Sequence, residues 1–241
     1  MFTHDFEADL RALDFFGRPF ALARFADGEM ACIEAKGYTP FGKMYGTETW
    51  DTRRPSKYRR HMREALACKL PRYAVGLPTI CCHPSCWLAA RKIVRQVPEW
   101  TTYSSMFSFA NRPRFLAMAE QLRLRQRCVL VSGVGGDLSV PLDLYNRKDF
   151  DLADLIAELR TIRDKPILVA AGPMAGVIVH RYWASTPEQD RCTIVDIGSA
   201  WDRELHGKPT RSDMQDRSKK KNHNCKLHGA RPCFDGCALT Q

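Results

Sequence analysis

Apolar residues along the chain fall into short runs that alternate with longer stretches of helical period. Phe20 to Phe25 is an apolar run ending in an arginine and a phenylalanine, and Tyr73-Ala-Val-Gly-Leu77 is another, stopped by Pro78. Trp100 to Tyr103 suits a third, shorter strand. Cys128 to Ser132, Pro166 to Ala171 and Cys192 to Ile197 are three more, each followed by glycine. Between them lie segments whose apolar positions recur at three and four residues, the spacing of a helix with one buried face. These predict helices over Asp5–Phe16, Asp27–Lys36, Pro55–Lys69, Cys86–Arg95, Pro113–Leu124, Leu152–Ile162 and Met174–Trp183. Tyr38 to Arg54 reads as a loop rich in glycine, threonine and aromatics. Continuous apolar strands separated by helices imply an α/β fold: a Rossmann-like, mostly parallel sheet with helices on both faces.

In such sheets ligands bind beyond the carboxyl ends of the strands. Asp27, Gly133, Gly172-Pro173 and Gly198-Ser199 all follow strand ends, so their convergence marks the expected site. Periodic hydrophobicity stops soon after Trp201. Residues 1–206 are therefore expected to form the folded domain, and residues 207–241 a basic tail containing Cys and His. No internal repeat is visible.

The chain of 241 residues carries a formal charge of +10. Two regions hold much of it. Between Arg53 and Arg72, eight basic residues face one acid, Glu64; between Gly207 and Gln241, eight face three. Basic surface of this kind attracts phosphate on nucleotides, nucleic acid or lipid headgroups, and charge alone does not choose among them. No run of about 18 apolar residues exists, so no membrane span is expected. The acidic N-terminus, MFTHDFEADL, is unlike a secretion signal, which makes the cytoplasm the expected location. Ten cysteines in that setting read as thiols rather than a disulfide framework, with Cys32, Cys68, Cys128 and Cys192 in apolar segments as core residues.

The most informative short stretch is ALARFADGEM, residues 21–30, which ends an apolar strand with two carboxylates around one glycine. Asp27 and Glu29 at a strand end are hard oxygen ligands suited to magnesium or manganese, with a bound diphosphate completing the shell. Gly28 lets the chain turn between them. The competing reading is a helix N-terminus, in which Asp27 caps and Glu29 favours the positive end of the dipole. Arg24, just before the corner, is either a phosphate contact or the partner of an acid. The glycines at 133, 135, 136 and 172 would admit backbone amides to phosphate or ribose, although GVGGDL lacks the spacing of a dinucleotide fingerprint. Cys81-Cys82-His83 with Cys86, and the tail cluster NHNCKLHGARPCFDGC, offer zinc ligands, but neither has the spacing of a standard finger.

RFADGE after an apolar strand resembles the RFGDGE signature of the GT-D glycosyltransferase family. YAVGLP, TIRDKPILVAAGPMAGVIVHRYW and CTIVDIGSAWDREL resemble later segments of that family in the same order, from about Phe20 to Leu205. Ala26 replaces the usual glycine, and Ser199 stands where some members have histidine. The resemblance implies a nucleotide-sugar donor, with a UDP-sugar expected, and Mn2+ or Mg2+ held through Asp27 and Glu29. From their places at the strand ends, Arg24, Gly28, Gly133, Gly172, Pro173, Gly198 and Ser199 are the expected donor contacts. A base is needed to deprotonate the acceptor hydroxyl. Asp202 is the first candidate for it; Asp137 is another, and Asp196 reads as structural or ribose-facing. The acceptor is a glycan, a protein or modified DNA. Two other functions stay open: a nucleic-acid-binding protein using the basic helix and tail, and a nucleotide-dependent enzyme of another reaction class.

Overall fold

The structure is a computed structural model, and it describes residues 2, 6–34, 56–79, 83–107, 111–133, 135–141, 144–147, 150–201 and 205. The expected loop over 38–54, the tail from 207, Cys81, Cys82 and Asp202 lie outside those residues.

Seven strands form one sheet in the order β3-β2-β1-β7-β6-β4-β5. They are β1 Ala21–Arg24, β2 Tyr73–Leu77, β3 Thr101–Tyr103, β4 Val129–Ser132, β5 Leu138–Ser139, β6 Ile167–Ala170 and β7 Ile194–Asp196. Each pairing is parallel. The helices are α1 Phe6–Arg11, α2 Asp27–Glu34, α3 Tyr58–Leu66, α4 Pro84–Ile93, α5 Asn111–Gln121, α6 Leu124–Arg127, α7 Leu152–Leu159 and α8 Ala175–Ser185. Six strands lie where the apolar runs predict them. β5 is the addition: its two residues pair with Val131 and Ser132 of β4, and two residues are too few to carry an alternating pattern.

Side chains along a strand alternate between the faces of the sheet, and the two halves of the core follow that period. Ala21, Ala23 and Phe25 of the first strand segment pack with Val75, Val169 and Ile194 under α2, α3, α4, α7 and α8. Leu22 turns the other way and joins Ala74, Leu130, Leu168 and Val195 under α1, α5 and α6. Both faces are thus covered, which is why the strands read as unbroken apolar runs. Every residue of β2 is buried.

Local chemistry sets several element ends. Asp151 caps α7 by accepting the Ala153 N–H at 2.8 Å. Pro84 opens α4, where its missing N–H costs nothing. Arg72, in the left-handed region at φ +60°, turns the chain into β2. Its guanidinium donates to the carbonyls of Pro19 (2.6 Å) and Arg18 (2.7 Å), tying the lower ends of β1 and β2 together. Cys32, Cys68, Cys128 and Cys192 are buried thiols, as their apolar settings predict.

One arginine of the basic helix α3 turns into the fold, and its neighbours make surface contacts. Arg59 donates to the Cys32 carbonyl in the last turn of α2 at 3.0 Å. Arg60 pairs with Glu64 at 2.8 Å, and Lys57 donates to the Phe150 carbonyl at 3.2 Å. Among the described residues no helix is long and apolar enough to cross a membrane.

Two predictions follow from the packing. Phe115 is fully buried and meets Phe107 edge-on at 4.9 Å between centroids, with Trp201 on its other side at 5.9 Å. Phe115→Ala should cost about 3–5 kcal/mol of unfolding free energy in denaturant titration; a loss under about 1 kcal/mol would mean the second core is loosely packed. His180 on α8 packs edge-on to Tyr73, and its Nδ1 has no hydrogen-bond partner among the described residues. Burial, then the nearby Arg181, pushes its pKa from 6.5 down to about 4. Between those values the unfolded chain binds the proton and the folded chain does not, so stability is full above pH 6.5 and falls as pH drops towards 4. From pH 7 to 5 that loss should be on the order of 1–2 kcal/mol, and His180→Asn should flatten the curve over that interval.

Candidate active site

β1 is the third of the seven strands across the sheet, between β2 and β7, and its carboxyl end leads into the acid–Gly–acid corner. Phe25 N–H still bonds the Gly76 carbonyl of β2 at 2.8 Å. On the other side the β1–β7 register runs only through Ala21↔Ile194 and Leu22↔Val195. Ile197 N–H instead bonds Val169 of β6 at 2.9 Å. β1 and β7 therefore part at their carboxyl ends, at the point where the strand order reverses, and in open parallel sheets that point is the ligand crevice.

The acid–Gly–acid corner sits on the β1 rim. The helix-terminus reading is the one with structural content. Asp27 is the first residue of α2 and is partly exposed, so the capping position falls to Ala26, whose side chain has nothing to accept with. Glu29 supplies the cap: its Oε2 accepts the Ala26 N–H at 2.8 Å, the back-reaching half of a capping box. Expectation placed the cap on Asp27; the structure gives that work to Glu29, because the helix starts one residue earlier than a capping aspartate requires. Folding back also returns the Glu29 carboxylate to the end of α2 where Asp27 lies. Gly28 is buried in the same turn.

Arg24 is held from several sides. Its Nη2 lies 3.5 Å from Asp196 Oδ1, and its own N–H bonds Asp196 Oδ2 at 3.2 Å. Nη1 donates to the Ser104 carbonyl beyond β3, and the guanidinium carbon lies 5.3 Å from the centre of the Phe107 ring. Of the two roles the sequence left for Arg24, partner to an acid is the one present in this arrangement. Asp196 is 4% exposed and also accepts the Gly198 N–H at 2.8 Å.

The glycines divide by what surrounds them. Gly198 has φ +52°, and a Cβ there would lie 1.8 Å from Arg24 Nη2, so only glycine leaves the guanidinium its place. Ser199 beside it is buried. Gly172, also at φ +52°, opens the turn after β6 with Pro173 buried, and that turn touches α2. Gly133 is different. It ends β4, three strand spacings or about 14 Å from β1. Its neighbour Gly136 is pressed against Leu130 O and Ser132 N, at 2.8 Å from a built Cβ, by the return into β5. The glycines there serve the β4–β5 turn. Asp137 serves it too, accepting from Leu130 N–H at 2.8 Å and Arg125 at 2.9 Å. Burial raises its pKa, but those two donors outweigh it and hold the carboxyl below the ordinary range. Asp202, the candidate base, follows the last described residue of this rim, Trp201.

Reasoning from sequence missed Ser104 and Phe107 as part of this rim and left Asp196 undecided. No local signal marks them: Asp196 is 172 residues from Arg24 and Ser104 is 80. Among the described residues no group of three or more His, Cys, Asp or Glu is placed to hold a metal ion.

Gly198→Ala should therefore cost about 2–5 kcal/mol, through the left-handed backbone and through disturbance of a buried ion pair. Gly17→Ala is the control. A Cβ there would lie equally close, 1.8 Å, to Asp14 Oδ2, but that side chain is exposed and gives up only surface hydrogen bonds from the Phe16 and Gly17 N–H groups by swinging away. Its cost should be about 1 kcal/mol or less. Equal losses in thermal or denaturant unfolding would overturn the assignment.

No protein-family model matches the chain, and no curated protein matches it. Solved structures do. A structure described as a new glycosyltransferase (domain of unknown function 1792) from Streptococcus sanguinis is 20% identical, with a TM-score of 0.53 over 97% of this chain and 89% of that one. A second is 15% identical, with a TM-score of 0.51 over 98% of this chain and 87% of the other; it is described as showing that this highly conserved domain has a distinct glycosyltransferase fold. The chain shares that glycosyltransferase fold, the one its resemblance to GT-D sequences implies.

Proposed function

We propose that the protein is a glycosyltransferase that moves a sugar from a nucleotide-sugar donor to a hydroxyl acceptor. The observation that carries this reading is the acid–Gly–acid corner at the carboxyl end of β1, beside the point where the strand order reverses, in a fold shared with glycosyltransferase structures. Ligands of open parallel sheets lie at that edge.

The donor's diphosphate would lie over the β1–β7 crevice, with its nucleoside towards the Gly172-Pro173 and Gly198-Ser199 turns. Asp27 and Glu29 present hard carboxylate oxygens at one end of α2, a donor set of the right kind for Mn2+ or Mg2+ once the diphosphate adds its own oxygens. Such an ion would supply Lewis-acid neutralisation of the leaving diphosphate. In the transfer itself the acceptor oxygen forms a bond to the anomeric carbon, the bond from that carbon to the diphosphate breaks, and the hydroxyl proton passes to a base. Asp202 is the proposed base, from its place just past Trp201. A UDP-sugar is the proposed donor; glycan, protein and modified DNA remain the acceptor classes. The nucleic-acid-binding alternative rests on exposed basic residues such as Lys57 and Arg60, since Arg59 is already committed to the Cys32 carbonyl.

Purified protein should release UDP from one of a panel of UDP-sugars in the presence of Mn2+. Asp27→Asn should leave the melting temperature within a few degrees of wild type. It should cut turnover by about a hundredfold or more and weaken Mn2+ binding in the presence of UDP by calorimetry. Wild-type turnover and Mn2+ affinity in that variant would remove Asp27 from the site.

A further inference from the structure

We infer that Arg24 and Asp196 are the positioning pair of the crevice: one buried ion pair that fixes the loops after β1, β3 and β7 relative to one another. Where the β1–β7 ladder ends, the Asp196 carboxylate takes the next rung, receiving Arg24 N–H on one oxygen and Gly198 N–H on the other. The Arg24 side chain then crosses β2 and reaches the Ser104 carbonyl. Two glycines clear its path. A Cβ at Gly76 would lie 3.1 Å from Arg24 Cγ, and one at Gly198 would overlap Nη2. Phe107 closes the slot from the side.

This placement argues against direct phosphate binding by Arg24. The side chain is 11% exposed, and both terminal nitrogens face protein oxygens. To meet a diphosphate it would have to leave Asp196 buried without its counter-charge, which is strongly unfavourable. It argues equally against Asp196 as a base, since its two oxygens are already occupied by the Arg24 and Gly198 amides. Arg24 acts through the loops instead. A planar guanidinium can bridge the Asp196 carboxylate and the Ser104 carbonyl at once, and a lysine ammonium cannot reproduce that fork. In the transferase reading, on which this last step rests, those loops carry Asp27, Glu29, Gly198 and Ser199, so the pair sets the geometry of the donor site without touching the donor.

The test uses Arg24→Met, Arg24→Lys, Asp196→Asn and the double variant Arg24→Met/Asp196→Asn. Amide hydrogen exchange is followed at 25–29, 104–107 and 197–201, with UDP affinity in Mn2+ measured by calorimetry. Each single variant should speed exchange at least tenfold in all three segments, including those its own side chain does not touch. The double variant should be no faster than the faster single, and Arg24→Lys should not restore protection. Asp196→Asn keeps the side chain's shape, so it stays informative if the methionine variant does not fold. Faster exchange confined to the mutated residue's own segment would overturn the pair. So would unchanged exchange with a tenfold loss of UDP affinity in Arg24→Met, which would make Arg24 a phosphate ligand. If wild-type protein binds no UDP or other nucleoside diphosphate, the transferase reading falls, while the exchange data still decide the pair.

Discussion

One carboxylate stands in for a rung of the sheet. Parallel strands hold their spacing through backbone bonds, and between β1 and β7 those bonds stop after Leu22 and Val195. Asp196 fills the gap with its side chain and brings the Arg24 guanidinium in as counter-charge. The arrangement lets the two central strands part without exposing unpaired amides, since a buried amide without an acceptor is costly. The parting of β1 from β7 within an otherwise continuous sheet depends on that substitution. Gly76, Gly198 and Phe107 are then explained as the walls of the slot the guanidinium needs.

The lower edge of the sheet shows the same device with a different purpose. Arg72 bonds the carbonyls of Pro19 and Arg18 and keeps β1 and β2 together where they begin. At that edge the strands stay joined, and at the opposite edge β1 and β7 are allowed to separate. The helical layer is tied to the site in turn. Arg59 of α3 holds the last turn of α2, and the ring of Phe25 packs 3.2 Å from where a Cβ on Gly176 of α8 would sit. The helix that carries Asp27 and Glu29 is thus anchored at its far end by a residue of the basic segment. Part of that segment's charge is architectural.

Glu29 shows how a capping role can hide in the sequence. Its carboxylate caps α2 by accepting the Ala26 N–H, in the turn that begins with Asp27. A carboxylate has acceptor positions on both oxygens, so capping and a role at the site mouth are compatible in chemistry. The capping box was hidden because its usual serine or threonine is replaced by Ala26, which leaves only the glutamate half.

The chain's own pattern was enough to set out six of the seven strands, the parallel class and the double helical cover, because burial on both faces imposes apolar runs that need no partner to be recognised. RFADGE and the glycines after the strands were legible for a similar reason: turns and strand ends demand particular residues locally. β5 escaped because two residues carry no period. The sheet order, the parting of β1 from β7 and the choice of Arg24's partner were decided only by tertiary structure. Each depends on bringing together residues such as Arg24, Ser104 and Asp196 that are far apart in the chain. Gly198 makes the division plain. Its sequence neighbours mark a turn after a strand, but what forbids a side chain there, beyond its own left-handed backbone, is a guanidinium from the adjacent strand β1, far away in the chain.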